Sequence, residues 1–321
     1  MNQLILSDFK ESCGLEIISV CPVDGGWLNK KWKVSTGSGD YLVKQFSNKR
    51  YSGEKLQRVE AALLRQEEVN KMGAPCPSVK LWGGRAVRIL DNDTAYMAMD
   101  FCPGKIETPD TITDKQMQSL GNACGLMHKA FARLPVDFVE GFPLDSGRFM
   151  NILRESCREN TALITTSSPP EFIKAVAAQE KITKSIPLDF FDKMPKGISH
   201  EDFAFDNILF NGVGVSAIID FDRNHYSFIR HDIGRAILCF ALNNDKLDFN
   251  KIAAFIEGYA VHLPLTPGDI ADVLRLTWCC EAPWWIQPYY FEKDRGKTTR
   301  FRDEILWLSE NWDNLDALTS M

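Results

Sequence analysis

The sequence lacks a hydrophobic run as long as the roughly 18 residues that a membrane-spanning helix requires. Its opening residues, Met1 to Leu6, have no basic segment and no long apolar core, so a signal peptide is not expected there. The nine cysteines are odd in number and form no C-x-x-C pair, which disfavours both a disulfide framework and a zinc site. We therefore expect a cytoplasmic protein with no membrane partner and with reduced, buried thiols.

An excess of positive charge is also missing. The chain has 37 Lys and Arg residues against 43 Asp and Glu residues, which gives a formal net charge of -6. Because there is no basic patch, a nucleic acid is not an expected partner. Apolar residues make up 45% and charged residues 25% of the chain, as in an ordinary globular protein. With 321 residues the chain is too long for one minimal core and suits two lobes.

Short apolar segments and glycine-containing turns dominate the first third of the chain. The turn at residues 35–40 separates two such segments and predicts a hairpin. Apolar residues at helical spacing predict an amphipathic helix over residues 54–72, which ends at Gly73. Strands are predicted at residues 16–20, 31–34, 41–46, 78–82 and 94–99, with a glycine turn at residues 23–29 between the first two.

The pattern changes at residues 101–104, where proline and glycine interrupt it. Beyond this point the sequence predicts helices from residue 113, at about 146–160 and at 170–183, a hairpin around 211–214, and further helices. We therefore expect an α+β bilobal fold. Residues 1–101 would form a small antiparallel β-rich N-lobe, and residues 102–321 a larger α-helical C-lobe.

Hydrogen-bonding and metal-binding side chains are concentrated between His200 and Asn207, directly before an apolar segment. A hairpin would return the chain antiparallel to that segment and bring Asn207 beside Asp220. An amide oxygen and a carboxylate are ligands that suit Mg²⁺. Asp202, in the loop just before, could accept the proton of an incoming hydroxyl, so the set fits phosphoryl transfer.

The spacing D-x-x-x-x-N, followed by an aspartate at a strand end, resembles the catalytic core of the protein-kinase-like fold. The variant in this chain resembles the aminoglycoside phosphotransferase and choline kinase superfamily, whose pattern reads roughly H-G-D-x-x-x-x-N-x-L and then I-D-[FW]-[DE]. The matching segments are His200-Glu201-Asp202, Ile219-Asp220-Phe221-Asp222, Arg230-His231-Asp232-Ile233 and Leu120-Gly121 with Leu126-Met127-His128. His200 is expected to hold the loop, and Asp232 to brace it through backbone amides.

The N-terminal half carries the same resemblance. Residues 24–32 are similar to the family's nucleotide loop, in which the residues expected near the phosphates are Gly25, Gly26 and Asn29. Residues 94–102 resemble the hinge between the lobes, whose backbone, at Asp100 and Cys102, would meet the adenine. The resemblance thus makes the N-lobe the nucleotide-binding part and the C-lobe the catalytic and acceptor-binding part.

Lys44 resembles the strand lysine that pairs with the α- and β-phosphates. An acidic residue on the following helix should anchor this lysine. Glu60 is the expected anchor, and Glu67 and Glu68 are alternatives nearer the end of the helix.

The resemblance implies a Mg²⁺-dependent phosphotransferase that moves the γ-phosphate of ATP or GTP to a hydroxyl of a small molecule. Asp202 would orient the hydroxyl, Asn207 and Asp220 would hold the metal, and Lys44 would contact the phosphates. The departures from the pattern are Glu201, which replaces the usual glycine, and Asp206, which stands where glycine is common. Both add negative charge near the phosphates.

An aminoglycoside-like or other amino-containing acceptor is expected. Several carboxylates near the transfer site would concentrate cations, and an aromatic cluster in the C-terminal helices could hold an ammonium group or a sugar face. The residues assigned to the acceptor are Asp222, Glu281, Trp284 and Trp285. The same aromatic cluster also fits a C-terminal core.

Other acceptors and other classes of protein stay open. Choline, ethanolamine, homoserine and simple sugars are acceptors among which the fold does not choose. A protein kinase is disfavoured because only nine residues separate Asp222 from Asp232, with no A-P-E motif. A non-catalytic nucleotide-binding relative is disfavoured because Asp202, Asn207 and Asp220 are all present.

Overall fold

The computed structural model describes residues 1–23, 29–51, 53–90, 94–135 and 145–319. Its helices are α1 (Gln3–Cys13), α2 (Glu54–Lys71), α3 (Asp114–Phe131), α4 (Ser146–Ala162), α5 (Pro170–Ser185), α6 (Phe190–Lys193), α7 (Ile229–Ala241), α8 (Phe249–Ala260), α9 (Ile270–Trp285), α10 (Lys297–Asn311) and α11 (Leu315–Thr319). Its strands are β1 (Ile17–Pro22), β2 (Lys30–Thr36), β3 (Gly39–Phe46), β4 (Arg88–Ile89), β5 (Ala95–Asp100), β6 (Lys196–Ser199), β7 (Ile208–Asn211), β8 (Gly214–Ile218), β9 (His225–Phe228), β10 (Leu242–Asn243) and β11 (Lys246–Leu247). Among the described residues, no helix is both long and apolar enough to cross a membrane.

In the described N-terminal part, β1 to β5 form one antiparallel sheet in the order β1-β2-β3-β5-β4. Because successive side chains of a strand point to opposite faces of the sheet, the two faces of the sheet pack against different helices. One face packs Trp32 and Val43 against α1, and the other packs Phe46 and Met97 against α2. Lys44 follows Val43 directly, so its side chain lies on the same side of the sheet as α2.

Helix α1 is not among the helices that the sequence predicts. The Asn2 side chain accepts the N–H of Leu4, and Gly14 ends the helix at a φ of 63°. Ile5 and Phe9, four residues apart, are fully buried against the sheet. The helix has only 11 residues, too few for a sustained apolar period, and packing against the sheet stabilises it.

The expected strand at residues 78–82 is wrong. This segment makes only isolated bridges, between Val79 and Met99 and between Trp82 and Arg85, and β4 lies further along the chain. The backbone on either side of Val79 is hydrogen-bonded to the end of β5, but the N–H of Val79 donates to the Glu67 carboxylate at 2.6 Å, and the pairing with β5 extends no further. The hairpin at residues 35–40 and the helix over 54–72 are confirmed.

Beyond β5 the described chain is mainly helical, and the expected α+β fold is confirmed. Helices α3 and α8 pack with almost no space between their backbones. A Cβ added to Gly121 would lie 2.0 Å from the Phe255 carbonyl oxygen, and one added to Gly258 would lie 1.9 Å from that of Gln118. Glycine is therefore required at this crossing, which fixes α3 and the buried His128 near its end.

Two short antiparallel pairs, β6 with β9 and β7 with β8, lie within the helical part. Their connections are the loop of residues 200–207 and the segment of residues 219–224. Backbone hydrogen bonds join Lys105 to Phe210 and the carbonyl of Pro75 to the N–H of Ile218. The hairpin is thereby attached to the segments that follow α2 and β5.

Candidate active site

Asn207 and Asp220 meet at one end of the β7–β8 hairpin. Ile208 of β7 is opposite Ile218 of β8, and the N–H of Ile219 donates to the Asn207 carbonyl oxygen at 2.9 Å. Two apolar segments around the turn at Gly212 and Val213 form this hairpin locally. The structure confirms the predicted hairpin and the proximity of the two residues.

Asp202 lies in the loop between β6 and β7, next to the same end of the hairpin. The Asn207 side-chain amide donates to the carbonyl oxygen of Asp202 at 2.8 Å. The N–H of Asp202 donates to Nδ1 of His200 at 3.3 Å, and Nε2 of His200 lies 3.1 Å from the Ile219 carbonyl oxygen. The fully buried His200 therefore holds the loop against the end of β8, as expected.

Asp232, in the first turn of α7, braces this loop. Its carboxylate accepts the N–H of His200 at 2.6 Å and the N–H of Glu201 at 3.0 Å. Nε2 of His128 lies 3.0 Å from the same carboxylate, and its Nδ1 lies 3.0 Å from the Tyr259 hydroxyl. The expected bracing role of Asp232 is confirmed, and this buried network fixes the backbone that precedes the candidate base.

Lys44 pairs with both aspartates of the segment that follows β8. Its Nζ lies 2.8 Å from Asp220 Oδ1 and 2.5 Å from Asp222 Oδ2. Burial lowers the pKa of Lys44, but the charges of Asp222 and Asp220 outweigh it and raise this pKa above its usual value. Burial raises the pKa of Asp220, but the charges of Lys44 and Lys31 outweigh it and lower this pKa. Lys44 and Asp220 are therefore both ionised at neutral pH.

The electrostatic surroundings of Asp202 differ from those of Asp220. Burial raises the pKa of the Asp202 carboxyl above its usual value, although the charges of Arg223 and His200 oppose this. Nη1 of Arg223 lies 3.8 Å from Asp202 Oδ1, and the Arg223 side chain is 54% exposed. The candidate base is thus less acidic than the candidate metal ligand, and a solvent-accessible cation lies beside it.

The structure gives Glu60 different partners from the expected Lys44. The Glu60 carboxylate accepts the N–H of Ala86 at 3.0 Å and that of Val87 at 2.7 Å, and Nε of Arg85 lies 2.9 Å away. The expected anchor is therefore wrong. Helix α2 presents Glu60 to the segment before β4, whereas Lys44 pairs with carboxylates from the other half of the chain.

Replacing Glu60 by glutamine should lower the stability of the protein and leave nucleotide affinity unchanged. The new NH₂ group cannot accept a hydrogen bond, so a buried backbone N–H loses its acceptor, at a cost of about 1–3 kcal/mol. Denaturant unfolding and nucleotide titration of Glu60→Gln measure the two effects. Glu54→Gln is the control, because this side chain lies on the same helix and is 85% exposed. A large loss of nucleotide affinity at unchanged stability would restore Glu60 to the site.

An arginine, and not a glutamate, connects α2 to the site. Nε of Arg65 donates to the Asn224 side-chain oxygen at 2.6 Å, and Nη2 donates to the Asn224 carbonyl oxygen at 2.8 Å. The Asn224 amide in turn donates to the carbonyl oxygens of Ala62 and Phe221. Sequence reasoning missed this pair. Its only signal is an arginine among the buried positions of an amphipathic helix.

Of the other residues predicted to lie near the nucleotide, the structure describes some and not others. Gly25 and Gly26 lie outside the described residues. The Asn29 side-chain oxygen accepts the N–H of Ser47 at 3.2 Å, which ties the start of β2 to the end of β3. Asp100 ends β5, and the half-buried Cys102 follows it on the way to the hairpin.

Three of the carboxylates that were expected to add negative charge near the transfer site have partners within the protein. Asp222 is bound to Lys44, and its side chain is only 8% exposed. Glu281 Oε1 lies 2.9 Å from His231 Nε2, and Glu201 Oε2 lies 3.8 Å from His231 Nδ1. The prediction that several carboxylates near the transfer site would concentrate cations is therefore wrong for these three, because each has a cation beside it.

The two tryptophans assigned to the acceptor lie in different surroundings. The Trp285 indole N–H donates to Glu281, and its ring centroid lies 5.0 Å from that of Tyr290 and 5.4 Å from that of Phe301. Trp285 thus belongs to an aromatic group that packs on the C-terminal core. Trp284, one residue earlier on α9, is 65% exposed.

Residues 19–267 match the model of the phosphotransferase enzyme family known as APH. Two relatives are similar along nearly the whole chain. The homoserine kinase of Methylobacillus flagellatus is 25% identical over 313 residues, which cover 91% of this chain and 91% of the relative. The homoserine kinase of Methylobacillus glycogenes is 22% identical over 316 residues, again with 91% of each chain covered.

A solved structure of similar fold is the amicoumacin kinase hAmiN in complex with AMP-PNP, Ca²⁺ and Ami. It superimposes with a TM-score of 0.64 at 17% identity and covers 95% of this chain and 92% of its own. At this identity the likeness concerns the fold alone. It confirms the expected protein-kinase-like bilobal α+β fold.

Proposed function

This chain belongs to the phosphotransferase enzyme family and is a small-molecule kinase, and we propose that it moves the γ-phosphate of ATP or GTP to the hydroxyl of a small amino acid such as homoserine. The observation that carries the proposal is the meeting of Asp202, Asn207 and Asp220 at one end of the β7–β8 hairpin. Lys44 reaches the same place from the N-terminal sheet. Phosphoryl transfer needs a positioned base, metal ligands and a cation on the phosphates.

Asp202 is the base in this proposal. It orients the acceptor hydroxyl and takes its proton while the hydroxyl oxygen bonds to the γ-phosphorus and the nucleoside diphosphate leaves. Burial raises the pKa of this carboxyl, which makes it a better proton acceptor than an ordinary aspartate. His200 and Asn207 fix its backbone, so the side chain is already oriented before the reaction.

A divalent metal ion, Mg²⁺ above all, fits Asn207 and Asp220. The Asn207 nitrogen is committed to the Asp202 carbonyl, which leaves the amide oxygen as a ligand, and Lys44 and Lys31 keep Asp220 ionised. The described residues contain no group of three or more His, Cys, Asp or Glu suited to a metal. Nucleotide-bound Mg²⁺ does not need one, because one or two protein ligands act with phosphate and water oxygens. When bound, the ion would neutralise charge on the transferred phosphoryl group.

The nucleotide would lie between the sheet and the hairpin. Lys44 would contact its phosphates, and the backbone of residues 100–102 would meet its base. Gly25, Gly26 and Asn29 keep their proposed place near the phosphates. Similarity to a kinase solved with AMP-PNP and Ca²⁺ supports a nucleotide and a divalent ion as the co-substrate and cofactor.

The charges near Asp202 favour an amino acid over a polycationic aminoglycoside. Three of the carboxylates expected to attract cations have internal partners. Arg223 places an exposed guanidinium 3.8 Å from Asp202, and a guanidinium is a strong partner for a carboxylate. Homoserine carries a carboxylate, an ammonium group and the hydroxyl to be phosphorylated. Two relatives named homoserine kinase, similar over 91% of the chain, support this class of acceptor.

A coupled assay for released nucleoside diphosphate with a panel of acceptors tests the proposal. The panel contains homoserine, 3-aminopropan-1-ol, choline, kanamycin and glucose, each with Mg²⁺ and either ATP or GTP. We expect homoserine to have the highest kcat/KM. Loss of the carboxylate in 3-aminopropan-1-ol should lower kcat/KM at least about 10-fold, because a hydrogen bond to a charged group contributes about 1.5–3 kcal/mol.

Two outcomes would contradict the proposal. Efficient transfer to kanamycin or glucose, with none to homoserine, would leave the kinase assignment intact and remove the amino-acid acceptor. Equal kcat/KM values for homoserine and 3-aminopropan-1-ol would show that the carboxylate is not recognised.

A further inference from the structure

Glu201, the residue directly before Asp202, has an unusual backbone conformation. Its φ is 64°, in the left-handed region that residues other than glycine, asparagine and aspartate rarely adopt. The pattern that this chain resembles has glycine at this position. A glutamate persists in such a conformation only when its surroundings hold it there. The question is therefore what the side chain contributes that glycine would not.

The Glu201 side chain reaches a buried histidine. One carboxylate oxygen accepts the hydroxyl of Ser199, and the other lies 3.8 Å from Nδ1 of His231. Nε2 of His231 lies 2.9 Å from Glu281, whose second oxygen accepts the indole N–H of Trp285. The His231 side chain is only 5% exposed, so it lies between two carboxylates away from solvent.

The side chains of Glu201, His231 and Glu281 are charged at neutral pH. Burial lowers the pKa of His231, but the charges of Glu201 and Glu281 and the hydrogen bond with Glu281 outweigh it and raise this pKa to about 10. Burial raises the pKa of each glutamate, but the interactions with His231 outweigh it and lower each to about 2. The further titratable or charged neighbours of the two glutamates are His225, Cys280 and Arg235.

We propose that Glu201 and His231 form a positioning pair that sets the direction of Asp202 and connects the catalytic loop to helix α9. Asp232 holds the backbone of this loop through the N–H groups of residues 200 and 201. The side-chain pair adds a second constraint on residue 201, whose ψ angle determines where Asp202 points. Neither residue touches the reacting atoms, so neither is catalytic. The kinetic part of this inference rests on the proposed function.

The connection to α9 gives the pair a role in acceptor specificity as well. Glu281 and Trp285 lie in the last turns of α9, beside the exposed Trp284. Trp285 is hydrogen-bonded to Glu281, and Glu281 to His231, which lies beside Glu201. This series of contacts couples the position of α9 to the position of Asp202. With glycine at residue 201, the positions of α9 and Asp202 would not be coupled.

Two variants of Glu201 separate these contributions. Glu201→Gln keeps the shape and removes the charge, whereas Glu201→Gly removes the side chain and relieves the backbone conformation. Each should lower kcat for the acceptor by about 10- to 100-fold, as expected for a misplaced base. KM for the nucleotide should stay within about twofold, because nucleotide binding does not depend on the direction of Asp202. Glu155→Gln, an exposed glutamate on α4, is the control and should change neither parameter.

NMR titration of the His231 imidazole gives a readout that needs no acceptor. In the wild-type protein the ring should stay protonated to about pH 9 or above, and in Glu201→Gln its pKa should fall by at least about one unit. A merely structural role predicts a different result: lower thermal stability with unchanged kcat per folded molecule, measured with circular dichroism as the control for folding.

The inference is overturned if Glu201→Gly is folded and retains kcat and both KM values within about twofold. It is also overturned if His231 titrates near its ordinary pKa in the wild-type protein. If no acceptor is turned over by the wild-type enzyme while His231 remains protonated at pH 9, the proposed function fails and the charged pair stands.

Discussion

Asp202→Asn should lower kcat by at least about 100-fold, because a positioned base contributes about 10²–10⁴ to the rate. Nucleotide affinity should stay within a few-fold. The substitution preserves the shape of the side chain, and the contact with Asn207 uses the backbone carbonyl of Asp202 and not its carboxylate. Steady-state kinetics with the best acceptor, together with calorimetric titration of nucleotide, measure both quantities.

Asp206→Asn is the matched control for Asp202. It removes one negative charge from the same loop, four residues further along the chain. A general electrostatic effect of the loop would lower kcat similarly in both variants. A specific base requires a large effect at Asp202 and a small one at Asp206. Unchanged turnover in a folded Asp202→Asn variant would remove this residue from its proposed role.

Asp220→Ala should abolish the Mg²⁺-dependent part of nucleotide binding. Asp220 supplies the only carboxylate of the proposed metal pair, and Mg²⁺ binds through hard oxygen ligands. Lys44 keeps Asp222 as a partner in this variant, so the buried lysine is not left without a counter-charge. Calorimetry of AMP-PNP binding with and without Mg²⁺ measures the effect.

Asp220→Asn guards against a loss of folding, because Asp220 has a φ of 65° and asparagine tolerates this conformation. Asp114→Asn, exposed at the start of α3, is the control for removal of one carboxylate elsewhere. Equal Mg²⁺-dependent affinity in wild type and Asp220→Ala would show that the metal assignment is wrong.

The sequence was sufficient where the structure depends on neighbouring residues. Asn207 and Asp220 are joined by one short hairpin, and the pairing of Ile208 with Ile218 places both residues at the same end of it. The helix over 54–72 follows from a sustained apolar period, and α2 ends within one residue of that prediction. Helix α1 has two buried residues and no such sustained pattern, so only its packing on the sheet reveals it.

The partners of charged side chains depended on distant elements. Glu60 and Glu67 are seven residues apart on α2 and share one face, so periodicity could not rank them as partners of Lys44. In the structure both accept backbone N–H groups of the segment that follows α2. The counter-charges of Lys44 come from residues 176 and 178 positions away, which no local pattern connects to it.

The sequence by itself therefore determined the fold class, through its pattern of strands and helices, and the meeting of Asn207 and Asp220. Strand pairing across a tight turn fixes the geometry of residues close in the chain. Only the tertiary structure decided that Lys44 pairs with Asp222 and that His231 lies between Glu201 and Glu281. A buried charge must find a partner of opposite sign, and which partner it finds depends on how separate helices and sheets pack together.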